Sequence, residues 1–517
     1  MLKYSKALRV TGGSLRAACR FQSTKSPANL EAGSNDASAA EDASTTILAD
    51  KRDASTVISA FEDSSRAATW LTALAERKRQ LAQGKVIDSF AYNTPQVPVI
   101  SDKTRSESFS YLTLNFKEDL WLADFYVNAA GRLRMGQIFQ DLDALAGRIS
   151  YRFVSPAAPI IVTAQVSRIY MLKRINEIAD KNFILSGSVV WTGRSSMEIL
   201  IKASTTNESV KKNLKEEDIK EEDVFLTASF TFVARNPETH KSFPINRLLP
   251  ISENEWIDYR RAESQNAAKK LAKNKDSLDK QPPTSEESQL IHKMFLASKE
   301  LAKYNELPKN VSLMKDTKTQ STSFMQPQYR NRHSYMIFGG YLMRQTFELA
   351  YCTAASFSSS FPRFVSLDTT TFKAPVPVGS VLFMNSTVVY TEHIHQQEFK
   401  PLSKELAEGS FSEESFLHFD ARPTNVLSND PNNFLNSPGT LIQVKVDTSV
   451  KALNESKETP SGSFVYSFFV PTEAESDSIK NPGFSSVIPE TYSEMIEFIE
   501  GRRRAQETAR YAQQIQN

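Results

Sequence analysis

The sequence predicts an α+β fold built as two tandem copies, each a long helix followed by antiparallel strands. Three observations lead to this prediction. A glycine opens an apolar helix at Gly136, and a pair of glycines, Gly339 and Gly340, opens a second one in the other half of the chain. Segments rich in β-branched residues with alternating polarity follow each helix. A charged segment containing Pro-Pro separates the two series. One helix followed by strands is an α+β arrangement, so its repetition predicts an internal pseudo-dimer.

Length and composition allow two domains and exclude several classes of protein. The chain has 517 residues, a net charge of +2 and 40% hydrophobic residues, enough for two or more hydrophobic cores. The balanced charge gives no reason to expect a nucleic-acid partner. No apolar run approaches the roughly 20 residues of a membrane helix, so we expect no transmembrane segment. Two cysteines, Cys19 and Cys352, cannot form a disulfide framework or a cysteine metal site, and we expect no metal.

The first 55 residues have the composition of a targeting leader and spacer. Basic residues precede the first acid, Glu31, with Ser and Thr between them, and residues 32–55 are rich in Ala, Ser, Asp and Thr. This pattern is typical of a mitochondrial transit peptide. The alternative is a disordered basic N-terminus. The transit-peptide interpretation predicts that the protein functions in the mitochondrial matrix.

The elements of the first copy are predicted within residues 90–250. A strand precedes the glycine-opened helix and four follow it, and the segment 207–222, dense in Lys, Glu and Asp, is predicted to be a solvated insertion. The predicted strands are 108–114, 160–172, 183–192, 194–203 and 224–234.

The second copy is predicted within residues 291–475, after a helical interdomain linker at 251–290. A polar insertion at 396–433 is expected at the same place in this copy as 207–222 in the first, and residues 489–517 are expected to form a terminal helix. The predicted strands are 364–372, 381–392, 441–450 and 463–470. A long helix wrapped by an antiparallel sheet is the hotdog fold, so the whole chain is predicted to be a tandem (double) hotdog.

Five short motifs occur along the chain in a fixed order. They are RMGQIFQDLDALAG (134–147), GRSSME (193–198), VARNPE (233–238), IFGGYLMR (337–344) and FKAPVPVGS (372–380). Together they resemble the mitochondrial acyl-CoA thioesterases with two hotdog domains, over roughly residues 90–475. The resemblance implies hydrolysis of a fatty acyl-CoA to free fatty acid and coenzyme A, with no cofactor, at a site between the two copies.

The resemblance also implies which residues form the site. In these enzymes an acidic residue lies seven positions after the helix-opening glycine of one copy. Asp143 lies seven positions after Gly136, whereas Phe347 lies seven positions after Gly340. The resemblance therefore implies one competent centre, built on Asp143.

A polar side chain just before the opposite helix completes such a centre. His333 is our first candidate on chemistry and Asn331 the second. Gly136 and Gly339 are candidates for substrate contact. The turn of Arg194, Ser195 and Ser196 is assigned to the phosphates of coenzyme A, with a β-bulge carrying an exposed arginine as the alternative.

Helix geometry by itself requires both copies for one site. Asp143 lies two turns, about 10 Å, beyond Gly136 on the same helix, too far for both to hold one thioester carbonyl and its attacking water. The amide groups near Gly339 and Gly340 would complete the site by polarising the carbonyl. Asp143 would act as general base on water, with its pKa raised by burial, and its direct attack on the carbonyl is the alternative. Periodicity places Asp141 and Asp143 on opposite margins of one apolar stripe and does not choose between them.

Two other functions remain open at this point. A 2-enoyl-CoA hydratase on the same fold would pair Asp143 with His333 and add water reversibly. A non-catalytic hotdog subunit of a mitochondrial assembly would tolerate Phe347 in place of the second acid. In each case we expect the chain to form homo-oligomers.

Overall fold

The computed structural model describes residues 69–84, 100–175, 178–210, 213–275, 278, 282–303, 307, 310–331, 334–368, 370–394, 437–472 and 483–516. The predicted leader and spacer, the insertion 396–433 and His333 lie outside these residues.

The secondary structure follows the predicted order of elements. The helices are α1 (Trp70–Ala82), α2 (Arg105–Ser108), α3 (Leu120–Tyr126), α4 (Met135–Val154), α5 (Glu253–Lys275), α6 (Ser285–Leu301), α7 (Gly339–Ser358) and α8 (Tyr492–Gln516). The strands are β1 (Asp102–Thr104), β2 (Ser110–Leu114), β3 (Ile160–Met171), β4 (Asn182–Thr192), β5 (Ser196–Thr206), β6 (Val224–Arg235), β7 (Arg247–Leu249), β8 (Val311–Leu313), β9 (Thr319–Phe324), β10 (Arg363–Leu367), β11 (Thr370–Thr371), β12 (Val381–Ile394), β13 (Gly439–Lys451), β14 (Thr459–Pro471) and β15 (Ser486–Ile488).

The main sheet contains the same strand order twice. Its order is β2-β4-β5-β6-β3-β10-β14-β13-β12-β9, with β11 beside β3. Within β2–β6, and within β9, β10 and β12–β14, the spatial order is first, third, fourth, fifth and second strand along the chain. The copies join where β3 pairs antiparallel with β10, through Tyr170–Ser366 and Ile169–Leu367. The two hotdogs therefore share one continuous sheet, and the tandem hotdog is confirmed.

The repetition extends to the elements outside the main sheet. Short parallel pairs, β1 with β7 and β8 with β15, flank the two copies in the same way. Helix α5 follows β7 as helix α8 follows β15. Helix α5, which the sequence places in the linker, thus corresponds to the terminal helix of the second copy.

The central helices α4 and α7 pack against each other. On α4, Ile138, Leu142 and Ile149 are fully buried, and their spacing forms the apolar stripe that the sheet covers. The start of each helix lies against the middle of the other. A Cβ atom on Gly136 would lie 3.0 Å from Glu348 Oε1, and one on Gly340 would lie 2.9 Å from the Gln140 carbonyl oxygen. Glycine at both starts permits this crossing.

The predicted strands are present with shifted ends, and the segment 364–372 is divided into β10 and β11. The prediction that the two insertions are equivalent is wrong. Residues 207–222 connect β5 to β6, whereas 396–433 falls between β12 and β13, which correspond to β4 and β5. Composition reveals an insertion, but only strand pairing assigns its place in the repeat.

None of the helices in the described ranges is both long and apolar enough to cross a membrane.

Candidate active site

The carboxylate of one copy meets the helix start of the other. Asp143 on α4 accepts a hydrogen bond at Oδ2 from the Gly340 N–H, at 2.7 Å, and one at Oδ1 from the Thr163 hydroxyl, at 2.9 Å. The first turn of a helix presents N–H groups that have no partner within the helix, and Asp143 takes one of those of α7. The predicted meeting of the two copies at this carboxylate is confirmed.

Asp143 is fully buried, and burial determines its protonation. Burial raises the pKa of the carboxyl group to about 7, although the hydrogen bonds from Thr163 and Gly340 favour the charged form and act in the opposite direction. A carboxyl group that titrates near neutral pH can accept a proton as a general base under ordinary conditions.

The neighbouring acid, Asp141, has a different environment on the same helix. It is also fully buried, and burial raises its pKa to about 7. Its hydrogen bonds come from the Tyr126 hydroxyl at 2.6 Å and the Gln137 amide at 3.3 Å. Both of these hydrogen-bond donors belong to the first copy. The environment of Asp141 is therefore structural, whereas Asp143 lies at the start of α7.

Glycine at position 339 keeps room beside the carboxylate. A Cβ atom there would lie 3.1 Å from Asp143 Oδ2, 3.4 Å from Thr163 Oγ1 and 3.6 Å from Phe372 Cζ. Sequence reasoning missed Thr163. The available signal was a hydroxyl residue directly after the apolar run Ile160–Val162 at the start of β3.

The opposite half-site has aromatic residues where an acid would lie. Phe347, on α7, is buried, and its ring centroid lies 5.1 Å from that of Phe139, 5.5 Å from that of Tyr466 and 5.8 Å from that of Phe364. Gly136, predicted to contact substrate, adjoins Phe347 and Glu348 and therefore lies at this opposite half-site. The two half-sites differ, as the spacing of Asp143 and Phe347 predicted.

The loops that precede α4 and α7 are equivalent in their hydrogen bonds. The Arg134 N–H donates to the Tyr126 carbonyl, and the Phe338 N–H donates to the Tyr329 carbonyl. Isolated bridges join Val127 to Leu133 and Arg330 to Ile337.

One asparagine follows the first bridge residue in each loop. The Asn128 N–H donates to the Arg132 carbonyl and the Asn331 N–H to the Met336 carbonyl, each at 2.8 Å. Asn331 thus corresponds to Asn128, although its loop is one residue longer. The longer loop explains why Asn331 lies one residue farther before Gly340 than Asn128 lies before Gly136.

The turn predicted to bind coenzyme A, Arg194–Ser196, lies at the same end of the strands as Thr163. Ser196 pairs with Val233, which pairs with Val162, the neighbour of Thr163. Two strand spacings, about 10 Å, separate the turn from β3. Arg194 is exposed, and the Gly193 N–H closes the turn on the Ser196 carbonyl at 2.8 Å.

In the described part of the chain, no group of three or more His, Cys, Asp or Glu residues is arranged to hold a metal ion.

The fold and the contact between Asp143 and Gly340 define a double-hotdog protein in which one half-site has a buried aspartate at a helix start. Several curated proteins are similar in sequence. A chloroplastic acyl-coenzyme A thioesterase 2 from Humulus lupulus is 35% identical over 307 residues, 58% of this chain and 67% of the relative. The mitochondrial acyl-coenzyme A thioesterase 9 from Homo sapiens is 30% identical over 408 residues, 77% of this chain and 76% of the relative. The chain belongs to the acyl-CoA thioesterase family.

Solved structures with a similar fold include an apo-hexameric acyl-CoA thioesterase, 20% identical with a TM-score of 0.27 over 34% of this chain and 99% of that chain. Another is a putative oleoyl thioesterase from Lactobacillus plantarum, 7% identical with a TM-score of 0.34 over 71% of this chain and 96% of that chain. No family model matches the chain.

Proposed function

We propose that the protein hydrolyses fatty acyl-CoA to free fatty acid and coenzyme A, with Asp143 as the general base. As a member of the acyl-CoA thioesterases it is a thioester hydrolase. The observation that carries the assignment of the base is the 2.7 Å hydrogen bond between Asp143 and the Gly340 N–H, because it places a carboxylate at a cluster of helix-start amides.

In the proposed mechanism, Asp143 removes a proton from water as the water attacks the thioester carbonyl. The charge that develops on the carbonyl oxygen is stabilised by amides in the first turn of α7. Since the Gly340 N–H is bonded to Asp143, we assign Gly340 to holding the carboxylate and the adjacent Gly339 N–H to the carbonyl oxygen. The sequence prediction had given the carbonyl to the amides near Gly339 and Gly340 together. Collapse of the tetrahedral intermediate releases the coenzyme A sulfur, which takes the proton from Asp143.

A polar group from the loop before α7 is needed to orient the water. The equivalence of Asn331 and Asn128 supports Asn331 in this role. His333, which lies in the same loop outside the described residues, remains the other candidate. If Asn331→Ala lowers kcat and His333→Ala leaves kcat unchanged, the result favours Asn331. The reverse result would decide for His333.

The remaining assignments follow from the family and the sequence. The turn Arg194–Ser196 is proposed to contact the phosphates of coenzyme A, and no cofactor is required beyond the substrate. Mitochondrial relatives and the basic leader support a mitochondrial location, and we place the protein in the matrix. We expect further association of these chains into homo-oligomers, which analytical ultracentrifugation would measure.

Release of coenzyme A, followed with a thiol reagent, tests the reaction. We expect the purified protein to release coenzyme A from palmitoyl-CoA, and a series of chain lengths to give its preference. A decrease in crotonyl-CoA absorbance without thiol release would favour the hydratase instead. Inactivity on the whole series and on crotonyl-CoA would favour the non-catalytic subunit.

A further inference from the structure

A helix from the N-terminal part of the chain packs against the loop that leads into α7. Trp70, Ala73 and Arg77 of α1 are spaced by three and four positions, so they share one face of the helix. This face contacts Tyr335, which lies in the loop before α7 (residues 325–338) and is buried. Helix α1 therefore reaches the loop that opens the half-site of the proposed base.

Three different contacts hold the Tyr335 side chain on α1. The Tyr335 hydroxyl donates to the Ala73 carbonyl at 3.1 Å. The Trp70 and Tyr335 rings meet edge to face, with their centroids 6.3 Å apart. The Arg77 guanidinium carbon lies 4.7 Å from the Tyr335 ring centroid, within the range of a cation–π interaction. A hydrogen bond, an aromatic ring and a cation thus fix this side chain on one helix.

A second residue of the loop also contacts α1. The Arg330 guanidinium carbon lies 5.8 Å from the Trp70 ring centroid, and Arg330 Nη1 donates to the Pro327 carbonyl at 3.0 Å. Arg330 directly precedes Asn331, and Tyr335 lies four positions after it. Helix α1 therefore contacts the loop on both sides of Asn331 along the chain.

The backbone around Tyr335 is bonded to the segment before β12. The Tyr335 carbonyl accepts from the Val378 N–H at 3.0 Å, and the Ile337 N–H donates to the Val376 carbonyl at 2.8 Å. Tyr335 also lies four positions before Gly339, where α7 begins. A displacement of Tyr335 would therefore reach the start of α7 through a short, hydrogen-bonded stretch of backbone.

Tyr335 is the residue by which the loop before α7 exceeds the loop before α4. The Gly131 N–H donates to the Asn128 carbonyl at 2.9 Å, as the Ser334 N–H donates to the Asn331 carbonyl at 3.4 Å, so these two donors are equivalent. In the first loop the residue directly after this donor accepts from the asparagine N–H through its carbonyl. In the second loop Tyr335 lies between the donor and that acceptor.

The loop before α4 is open at the point of this insertion. Gly131 is exposed, and no described atom lies within 4 Å of the position that its Cβ would take. This loop leads to the helix start beside Phe347, whereas the loop that contacts α1 leads to the helix start bonded to Asp143. The support by α1 thus belongs to the half-site that has the buried aspartate.

We propose that Tyr335 is a positioning residue of the thioesterase centre and that α1 holds it in place. The inference rests on the proposed function, because the group that Tyr335 positions is Asn331, the water-orienting side chain of that mechanism. Tyr335 acts through the loop, since its own side chain is engaged by α1. A displacement of about 1 Å in a reacting group can cost about 10²-fold in rate, so an anchored loop favours turnover.

Thiol-release kinetics of variants on both sides of the contact test the proposal. We expect Tyr335→Ala to lower kcat about 10–100-fold and to leave KM within about threefold of the wild type, because positioning is lost and substrate contacts remain. Tyr335→Phe keeps the ring on α1 and should recover most of kcat. Trp70→Ala should lower kcat as well. Leu71→Ala, which removes a side chain of α1 that is 77% exposed, is the matched control and should behave as the wild type.

A double-mutant cycle separates positioning from general support of the fold. In an Asn331→Ala background the positioned group is absent, so the further change Tyr335→Ala should lower kcat by no more than about threefold. A loss as large as in the wild-type background would overturn the proposal. Circular dichroism and urea unfolding verify that each variant is folded, and Trp70→Ala keeps the test available if Tyr335→Ala does not fold.

Hydrogen exchange measured by mass spectrometry tests the support by α1 without any substrate. Peptides that cover 325–338 should exchange about tenfold faster or more in Trp70→Ala, whereas those that cover 127–134 should keep the wild-type rate. The inference fails by itself if the protein hydrolyses acyl-CoA but both loops exchange alike in Trp70→Ala, or if Leu71→Ala loses as much kcat. Faster exchange of 325–338 in a protein that hydrolyses no acyl-CoA would contradict the proposed function instead.

Discussion

The buried aspartates of α4 allow a matched test of the catalytic assignment. Asp141 and Asp143 lie on the same helix, are equally buried and have pKa values raised to about 7 by burial. Only Asp143 contacts the start of α7. We therefore expect Asp143→Asn to lower kcat by about 10²–10⁴-fold, the usual contribution of a general base, and Asp141→Asn to leave it within a fewfold of the wild type.

The Asp143→Asn substitution should also stabilise the protein at high pH. The pKa of Asp143 rises from 3.8 to about 7 on folding, which corresponds to an upper value of about 4 kcal/mol for ionising the buried group. Because the folded pKa is the higher one, the folded state holds the proton longer. Its stability therefore falls as the pH rises from about 4 to 7. Asparagine carries no charge and escapes this loss.

Urea unfolding and thiol-release kinetics measure both effects on the same preparations. The free energy of unfolding of Asp143→Asn, relative to that of the wild type, should be larger at pH 8 than at pH 5.5 by about 2 kcal/mol. Asp141→Asn should show a pH dependence of the same sign. The reasoning is refuted if Asp143→Asn keeps more than a tenth of the wild-type kcat, or if Asp141→Asn loses as much activity.

Four further results are expected. First, kcat/KM should rise with pH and level off above about 7, because only ionised Asp143 accepts a proton; a flat profile from pH 6 to 8 would contradict this. Second, Thr163→Val should lower kcat by about 10–100-fold, the value of a hydrogen bond to a charged group. It should also move the pH profile upward, because the bond it removes favours the charged carboxylate; a profile displaced to lower pH would argue against that contact. Third, Gly339→Ala should lower kcat about tenfold or more, since its Cβ would lie 3.1 Å from Asp143 Oδ2. The control Gly147→Ala, with open space around the new atom, should stay active and gain up to about 1 kcal/mol of stability. Equal kinetics for the two alanine variants would disprove the crowding argument. Fourth, Phe347→Leu should lower the free energy of unfolding in urea by about 1–2 kcal/mol and leave kcat unchanged. A large loss of kcat in a folded variant would give the half-site that contains Phe347 a catalytic role.

Much of the fold follows from local patterns in the sequence. Alternation and β-branched content locate the strands because each strand buries one face. The helix starts at Gly136 and Gly339 are evident because glycine precedes an apolar periodic run. The position of an insertion is not local information. The segments 207–222 and 396–433 looked equivalent in composition, but pairing of β5 with β6 and of β12 with β13 separates them.

The loops before the central helices also needed three-dimensional information. From the sequence, Asn331 stands one residue farther from its helix than Asn128 does, and spacing alone could not relate the two. Matching backbone hydrogen bonds and bridges relate them directly. Thr163 went unrecognised because its partner, Asp143, is reached only through the packing of β3 against α4.

The sequence by itself determined the duplicated α+β architecture, the family and the asymmetry between Asp143 and Phe347, since these depend on periodicity, motif order and residue identity. The tertiary structure showed which of the two aspartates of α4 contacts the start of α7. Asp141 and Asp143 have the same charge, burial and helix, so periodicity does not separate them, and only the spacing implied by the family resemblance favoured Asp143. They differ because the crossing of α4 and α7 directs one carboxylate toward Tyr126 and the other toward the amide of Gly340.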